Sequence, residues 1–454
     1  MAAAQRMISV PAVLPRLCIR GGLLMDPANG INAKMDLWIA DGSLVAITPT
    51  GQRLDGFEAD HVMEAGGHVV CPGLIDLSAR LREPGFEYKA TLESEMRAAI
   101  AGGVTRLVCP PDTDPALDEP GLVEMLKHKA RNLTQAHVHP LGALTLGLKG
   151  EQLTEMAELS EAGCIGFSQG PIPIVNTQVL MRAMQYARTF DYSVWLYPMD
   201  PWIGRTGIAH SGPVSGRMGL PGISVANETI ALKTIFELVR ATGARVHLCR
   251  LSSAAGVELV RHAKGEGLRV SADVAVHHLH LIDVDTSNFD PNTRVVPPFR
   301  SQRDRDALRA AVLDGTIDVI CSDHAPIDDD AKQVPFGEAE PGVTAIELLL
   351  PLTLKWAQET SLGLPDALQR LTVNAGRVLG RDAGQLAIGA QADICIFKPD
   401  ASWTVVPKNL FSQGANTPYL GRDLEGQVTA VFVDGRCVFD RAHGGFTLGA
   451  HPRS

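Results

Sequence analysis

Two textures of hydrophobic and polar positions divide the chain. From about residue 17 to 70, apolar and polar residues alternate in short runs separated by turns. Leu37-Trp38-Ile39-Ala40, Asp41-Gly42 and Ser43-Leu44-Val45-Ala46-Ile47 show the pattern. Period-two alternation on either side of an Asp-Gly pair predicts the strands of a small β unit. After Pro72-Gly73, compact apolar runs rich in β-branched residues occur at 69–77, 104–109, 138–145, 164–168, 192–197, 245–251, 268–274 and 317–322. Between them lie amphipathic stretches such as 91–101, 151–161, 178–189, 228–241, 255–264 and 303–313, which predict helices. Eight strand–helix alternations predict an α/β fold, a (β/α)8 TIM-type barrel with its chemistry at the C-terminal ends of the strands. From about Ala387 onward, short strands and turns return. The predicted organisation is an N-terminal extension at 1–16, the barrel at 71–380, and a small β-sandwich built from 17–70 and 381–454.

Composition narrows the function classes. At 454 residues, with 45% hydrophobic and 20% charged residues, the chain reads as an ordinary globular protein. A formal net charge of −10, from 41 basic and 51 acidic residues, argues against nucleic acid as the main partner. No apolar run approaches the roughly 20 residues that cross a bilayer, and the first 20 residues lack the form of a secretory signal. The eight cysteines are far apart, with no Cys-x-x-Cys pair, and most sit in apolar runs. Reduced, buried thiols in a cytoplasmic protein are expected.

The chemistry concentrates on Pro72-Gly73-Leu74-Ile75-Asp76-Leu77-Ser78-Ala79-Arg80-Leu81-Arg82. Residues two apart on a strand point to the same side, so Asp-x-His-x-His at a strand end sends two imidazoles to one metal. This segment has that frame, with Ser78 and Arg80 in the two histidine positions. Serine is a poor ligand for a divalent ion, and a guanidinium has no free lone pair to give.

Further segments extend a resemblance. Ala98-Ala99-Ile100-Ala101-Gly102-Gly103-Val104-Thr105, Leu251-Ser252-Ser253-Ala254-Ala255-Gly256, Val276-His277-His278-Leu279, Pro297-Pro298-Phe299-Arg300, Ser322-Asp323-His324-Ala325-Pro326, Gly342-Val343-Thr344-Ala345-Ile346-Glu347 and Asn416-Thr417-Pro418-Tyr419-Leu420-Gly421 resemble dihydroorotases of the amidohydrolase superfamily. The resemblance runs from about residue 20 to 440. It implies a zinc-dependent barrel that opens or closes the dihydroorotate ring in pyrimidine biosynthesis, the metal supplying hydroxide at neutral pH.

Carried over position by position, the resemblance also implies that the ligand set has been lost. The family's metal positions fall on Ser78, Arg80, Gln169, Tyr197 and Arg250, and only Asp323 is kept. His247 matches a position that holds no metal. Arg82, which in the family grips the substrate carboxylate, is present. The neutral amides that accompany it become Asp112 and Val296. No cofactor is therefore expected, zinc entering only if the chain uses unorthodox ligands.

Three functions stay open at this stage. The leading one is a non-catalytic dihydroorotase-like protein, in which Arg80, Arg250 and Asp323 form a structural ion cluster. The resemblance to bacterial dihydroorotase-like chains implies assembly with the aspartate transcarbamoylase catalytic chain, and hence an oligomer. The second is a cyclic-amide hydrolase, with one metal on Asp323 and ligands such as His324 or His277, or with a metal-free route. The third is a small-molecule sensor using Arg82. His277, His278 and His280 are expected to be core or hydrogen-bonding residues, with His277 and His278 on opposite faces of a strand. His324 is expected to bond the loop after the eighth strand, and Arg82 to pair with a nearby carboxylate.

Overall fold

Parallel pairing in chain order builds the barrel. In the computed structural model, which describes residues 14–133 and 135–446, its strands are Leu74–Asp76, Val104–Cys109, His137–Pro140 continued by Gly142–Ala143, Phe167–Ser168, Ser193–Leu196, Arg245–Leu248, Val270–Ala275 and Val319–Cys321. Each pairs in parallel with the next. The last meets the first through the Ala79–His324 bridge, where Arg80 N donates to His324 O at 2.9 Å and His324 N to Ser78 O at 3.1 Å. Helices cover the outside and side chains fill the inside, so these strands are buried on both faces. They consequently read as continuous apolar runs in the sequence.

Helices Leu92–Ala101, Thr177–Thr189, Ala254–Gly265 and Gln302–Asp314 start where a side chain can satisfy their free N–H groups. Thr91, Asn176, Ser253 and Ser301 each accept from a backbone amide of the first turn. Helix Leu349–Glu359 is absent from the sequence-derived set. Its first turns bury Leu349, Leu350, Pro351, Leu352 and Thr353 in succession, so no polar face marks a 3.6-residue period.

The two ends of the chain meet in one nine-stranded sheet. Within it, Val69–Pro72 pairs in parallel with Leu17–Asp26 and antiparallel with Ile394–Thr404. The hairpin between Ile31–Ala40 and Ser43–Pro49 turns at Asp41 and Gly42, both at positive φ (50° and 78°), as a tight turn matched to strand twist requires. The single apolar run 69–77 is two strands, one in this sheet and one in the barrel. The break falls at Gly73, whose backbone passes so close to Thr105 that an added Cβ would lie 2.1 Å from its Oγ1. Residues 1–13 of the expected extension lie outside the described residues. Among the described residues, no helix is long and apolar enough to cross a membrane.

Candidate functional site

At the C-terminal mouth of the barrel, one carboxylate collects two guanidiniums. Asp323 Oδ1 accepts from Arg250 Nε at 3.0 Å and from Ser78 Oγ at 3.3 Å, and lies 3.5 Å from Arg80 Nη1. Arg80 turns its Nε to Asp112 Oδ2 at 2.8 Å. Arg250 gives Nη1 to Asp273 Oδ2 at 2.6 Å and Nη2 to Tyr197 Oη at 2.8 Å, and its backbone N–H reaches Asp273 Oδ1 at 2.6 Å. Arg80 Nη2 also reaches Tyr197 Oη, at 3.5 Å. Arg250 and Asp323 both hold positive φ (60° and 48°), uncommon for residues with a Cβ and here enforced by the bonds of their side chains.

These contacts decide the protonation states. Burial by itself would raise the Asp323 carboxyl, but Arg250 and Arg80 hold it down at about 2. Burial would likewise raise Asp273, yet Arg250 and His247 keep it below the usual carboxylate range. Burial pushes the Tyr197 phenol up against the two arginines, so it stays neutral and donates or accepts as a hydroxyl. The cavity bordered by Tyr197, Cys249 and Arg250 is only 10 Å³, about the space of one water.

The remaining sequence-derived candidates divide. Gln169 is buried but faces away from the cluster, accepting from Thr145 Oγ1 at 3.0 Å and donating to Leu148 O at 2.7 Å. Arg82 has no ion pair among the described residues, which corrects the expected carboxylate partner. Its Nε donates to Pro326 O at 2.9 Å, and Asp112, the nearby carboxylate, is taken by Arg80. Burial, then the Arg80 charge, lowers the Arg82 guanidinium to about 10. His324 is turned from Asp323 toward Glu95, with its Nε2 2.6 Å from Glu95 Oε2 and its Nδ1 accepting from Ala345 N at 3.2 Å. That network ties the loop after the eighth strand to helix Leu92–Ala101.

His277 and His278 do not face opposite ways. They sit in a 3₁₀ turn, Val276–Leu279, with rings 4.9 Å apart and Phe299 against both. The turn replaces the strand alternation on which the opposite-face expectation rested. His278 Nε2 donates to Pro297 O at 3.1 Å, and His280 Nε2 to Leu352 O at 2.9 Å. Both ring nitrogens of His277 are buried without a hydrogen-bond partner among the described residues.

The expectation of no cofactor is overturned. Among the described residues, two groups bring three ligand atoms within 4.8 Å of one another: His247, Cys249 and Asp273, and His137, Asp393 and Asp434. Each is a mixed donor set of the kind that takes a divalent ion. The first is wholly buried beside the ion cluster, with His247 Nε2 3.0 Å from Asp273 Oδ2. In the second, His137 Nε2 lies 3.3 Å from Asp393 and 3.5 Å from Asp434. Sequence reasoning missed both because it followed only the positions matched to family ligands. Asp273 did carry a signal, since a carboxylate between Ala272 and Val274 in a buried strand requires a partner. His137, Asp393 and Asp434 are assembled only by the fold.

Comparison with known proteins agrees with this architecture. The profile described as "Dihydro-orotase-like" matches residues 67–255, and that of the "Amidohydrolase family" matches residues 204–438. A "Dihydroorotase-like protein" of Pseudomonas putida is 42% identical over 419 residues, 92% of this chain and 98% of that protein. A "Dihydroorotase" of Geobacter sp. (strain M21) is 37% identical over 423 residues, 93% of this chain and 99% of that protein. Among solved structures, the L-hydantoinase (dihydropyrimidinase) of Arthrobacter aurescens superposes with a TM-score of 0.84 at 20% identity, over 96% of this chain and 98% of its own. Similarity to dihydroorotases over nine-tenths of the chain, on an amidohydrolase fold, makes this chain a member of the dihydroorotase-like family of the amidohydrolase superfamily.

Proposed function

We propose that this chain is a dihydroorotase-like protein whose barrel mouth has lost the family's zinc ligands and no longer hydrolyses cyclic amides. In this reading it serves in the cytoplasm as a structural partner of the aspartate transcarbamoylase catalytic chain. The observation that carries the first part is the shared grip of Arg250 and Arg80 on Asp323. A zinc pair at this mouth would need several neutral or anionic donors. The family positions offer a single carboxylate, already bound by two permanent cations, and a zinc pair does not fit that donor set. The space bordered by Arg250, Tyr197 and Cys249 is only 10 Å³, too small for a ring to sit against Arg250.

Support for a partner comes from the surface. Ile172, Val175 and Trp202, which is 64% exposed, border an apolar cavity of 230 Å³ on the other side of Tyr197. Exposed apolar side chains grouped in this way mark contact surfaces. The identity of the partner rests on the resemblance to bacterial dihydroorotase-like chains. Seven of the eight cysteines are buried, as suits reduced thiols in a reducing compartment.

A second reading is favoured by the group of His247, Cys249 and Asp273, which could seat one ion and support hydrolysis with a single metal. Steady-state assay of the purified chain with dihydroorotate and carbamoyl aspartate, in the presence of added zinc, separates the two. We expect no turnover above background in either direction, and zinc-dependent turnover would favour the second reading. Co-expression with aspartate transcarbamoylase from the same genome should give one co-migrating species on sizing. Two separate peaks would count against the partner.

A further inference from the structure

We propose that the basic cleft at the opposite end of the barrel, where the strands begin, binds a small polyanion bearing linked phosphates. The cleft has a volume of 530 Å³ and is lined by Arg245, Arg269, Arg370 and Arg377, with Asp318 as the carboxylate in its wall. A volume of this size lies within the roughly 300–1,000 Å³ of small-molecule sites. Arg245 and Val270 are first residues of barrel strands, so the cleft lies at the end of the barrel away from the Asp323 cluster.

The arginines are under-compensated. Asp318 is already taken: both its oxygens are 2.8 Å from Lys264 Nζ, and one accepts the Ala272 amide. Asp191 is shared, pairing with Arg269 at 2.8 Å and with Arg188 at 3.8 Å. Arg269, with Arg245 and Arg188 in support, keeps its carboxyl below the usual range.

Arg245, Arg370 and Arg377 have no carboxylate within ion-pair distance among the described residues. Arg245 gives Nη2 to Asp191 O at 3.2 Å, and Arg377 has one long contact, 3.5 Å, to Asn374 Oδ1. Arg370 bonds the carbonyls of Asp366 and Val312, with the Asp366 charge acting on it from further off. The Nε atoms of Arg245 and Arg370 are buried with no acceptor among the described residues.

Four arginines thus line the cleft against one carboxylate, Asp318, which Lys264 already holds, on a chain whose net charge is −10. Buried, unpaired N–H groups and excess guanidinium charge both cost free energy that an anion would relieve. The planar fork of arginine matches phosphate oxygens two at a time, and several forks around one cleft suit an anion with more than one phosphate. The cleft shares no lining residue with the cavity at the barrel mouth, so this site stands or falls apart from the function proposed above.

Titration calorimetry of the full chain at fixed ionic strength tests it, with inorganic triphosphate and a nucleoside triphosphate as probes and sulfate as the competing simple anion. We expect saturable one-to-one binding of inorganic triphosphate, with the nucleotide at least matching it. Arg377→Ala, whose side chain makes only the one long contact, should weaken binding about tenfold or more, as loss of a charge-assisted bond does. Arg245→Gln should do the same, while Arg217→Ala, on a helix that does not line the cleft, should leave it unchanged. The proposal is overturned by absence of saturable binding, by affinity unchanged from the parent in both cleft variants, or by binding of the nucleotide without inorganic triphosphate. The last result would mean that the arginines are not what is recognised.

Discussion

Arg250 donates its Nε to Oδ1 of Asp323 across 3.0 Å, with 3% and 10% of the two side chains exposed to water. Charges so withdrawn are tolerated only as a set. The set at this mouth is balanced: Arg80, Arg82 and Arg250 against Asp112, Asp273 and Asp323. Replacing Asp323 with Asn keeps the shape and removes one charge, leaving Arg250 and Arg80 facing a neutral amide. Breaking one partner of a buried ion pair costs about 3–5 kcal/mol. Urea denaturation of Asp323→Asn should show a loss of that size, and a loss below about 1 kcal/mol would mean that the cluster behaves as an exposed pair.

Restoring the first-strand histidines should not restore hydrolysis. Ser78→His with Arg80→His supplies two imidazoles, but Tyr197, Gln169 and Arg250 remain. The change also strips Asp112 of the guanidinium 2.8 Å away. We expect the double variant to be less stable than the parent and to show no dihydroorotase turnover with added zinc. Turnover from these two changes alone would show that the other positions do not block the site.

Glu347 offers a pH test with a definite sign. Burial raises its carboxyl from 4.5 to about 8, Glu95 adds to the rise, and the Ser412 and Phe411 amides oppose it. Below about pH 4.5, both folded and unfolded chains hold the proton and nothing is lost. Between there and pH 8 the unfolded chain releases it while the fold keeps it, so stability falls by an amount on the order of a few kcal/mol. Glu347→Gln keeps an oxygen for the Phe411 and Ser412 amides, 2.8 and 3.0 Å away, but has no proton to lose. Its stability relative to the parent should grow from pH 5 to pH 8 in denaturation midpoints. Parallel curves would remove Glu347 as the source.

The crossing at Gly73 predicts a paired effect. Gly73→Ala drives a methyl against Thr105, at 2.1 to 2.7 Å from three of its atoms, and overpacking of this kind costs about 1–3 kcal/mol. Thr105→Ala opens the space, so the double variant should recover most of the loss in thermal melting. Purely additive losses would mean that Thr105 is not the obstacle.

Much of the fold was legible because the barrel strands are short, buried on both faces and followed by helices with a polar side. The strand at Val104–Cys109 and the helix starts near Thr91, Asn176, Ser253 and Ser301 follow from that patterning and from capping chemistry. The split of 69–77 at Gly73 was hidden because an uninterrupted apolar run does not say which sheet each half joins. At the mouth, the exchanged residue types could be read from the sequence. What they exchanged into could not: Asp112 as the partner of Arg80, and Asp273 as the partner of Arg250, depend on where separate strands end in space. The paired turn at His277-His278 was misread because alternation was assumed past the point where the strand stops. The ion site at His137, Asp393 and Asp434 escaped for a different reason, since these residues are neighbours only after folding.

The sheet that joins the two ends of the chain has a consequence for synthesis. Val69–Pro72 leaves the ribosome early, yet its antiparallel neighbour, Ile394–Thr404, is made more than three hundred residues later. Until then one edge of that strand has no ladder partner, and such an edge invites pairing with other chains. Pairing so remote in sequence is also slow to form. Translation that stops inside the barrel would therefore release a chain with this edge still open, and such fragments should aggregate more readily than the finished protein.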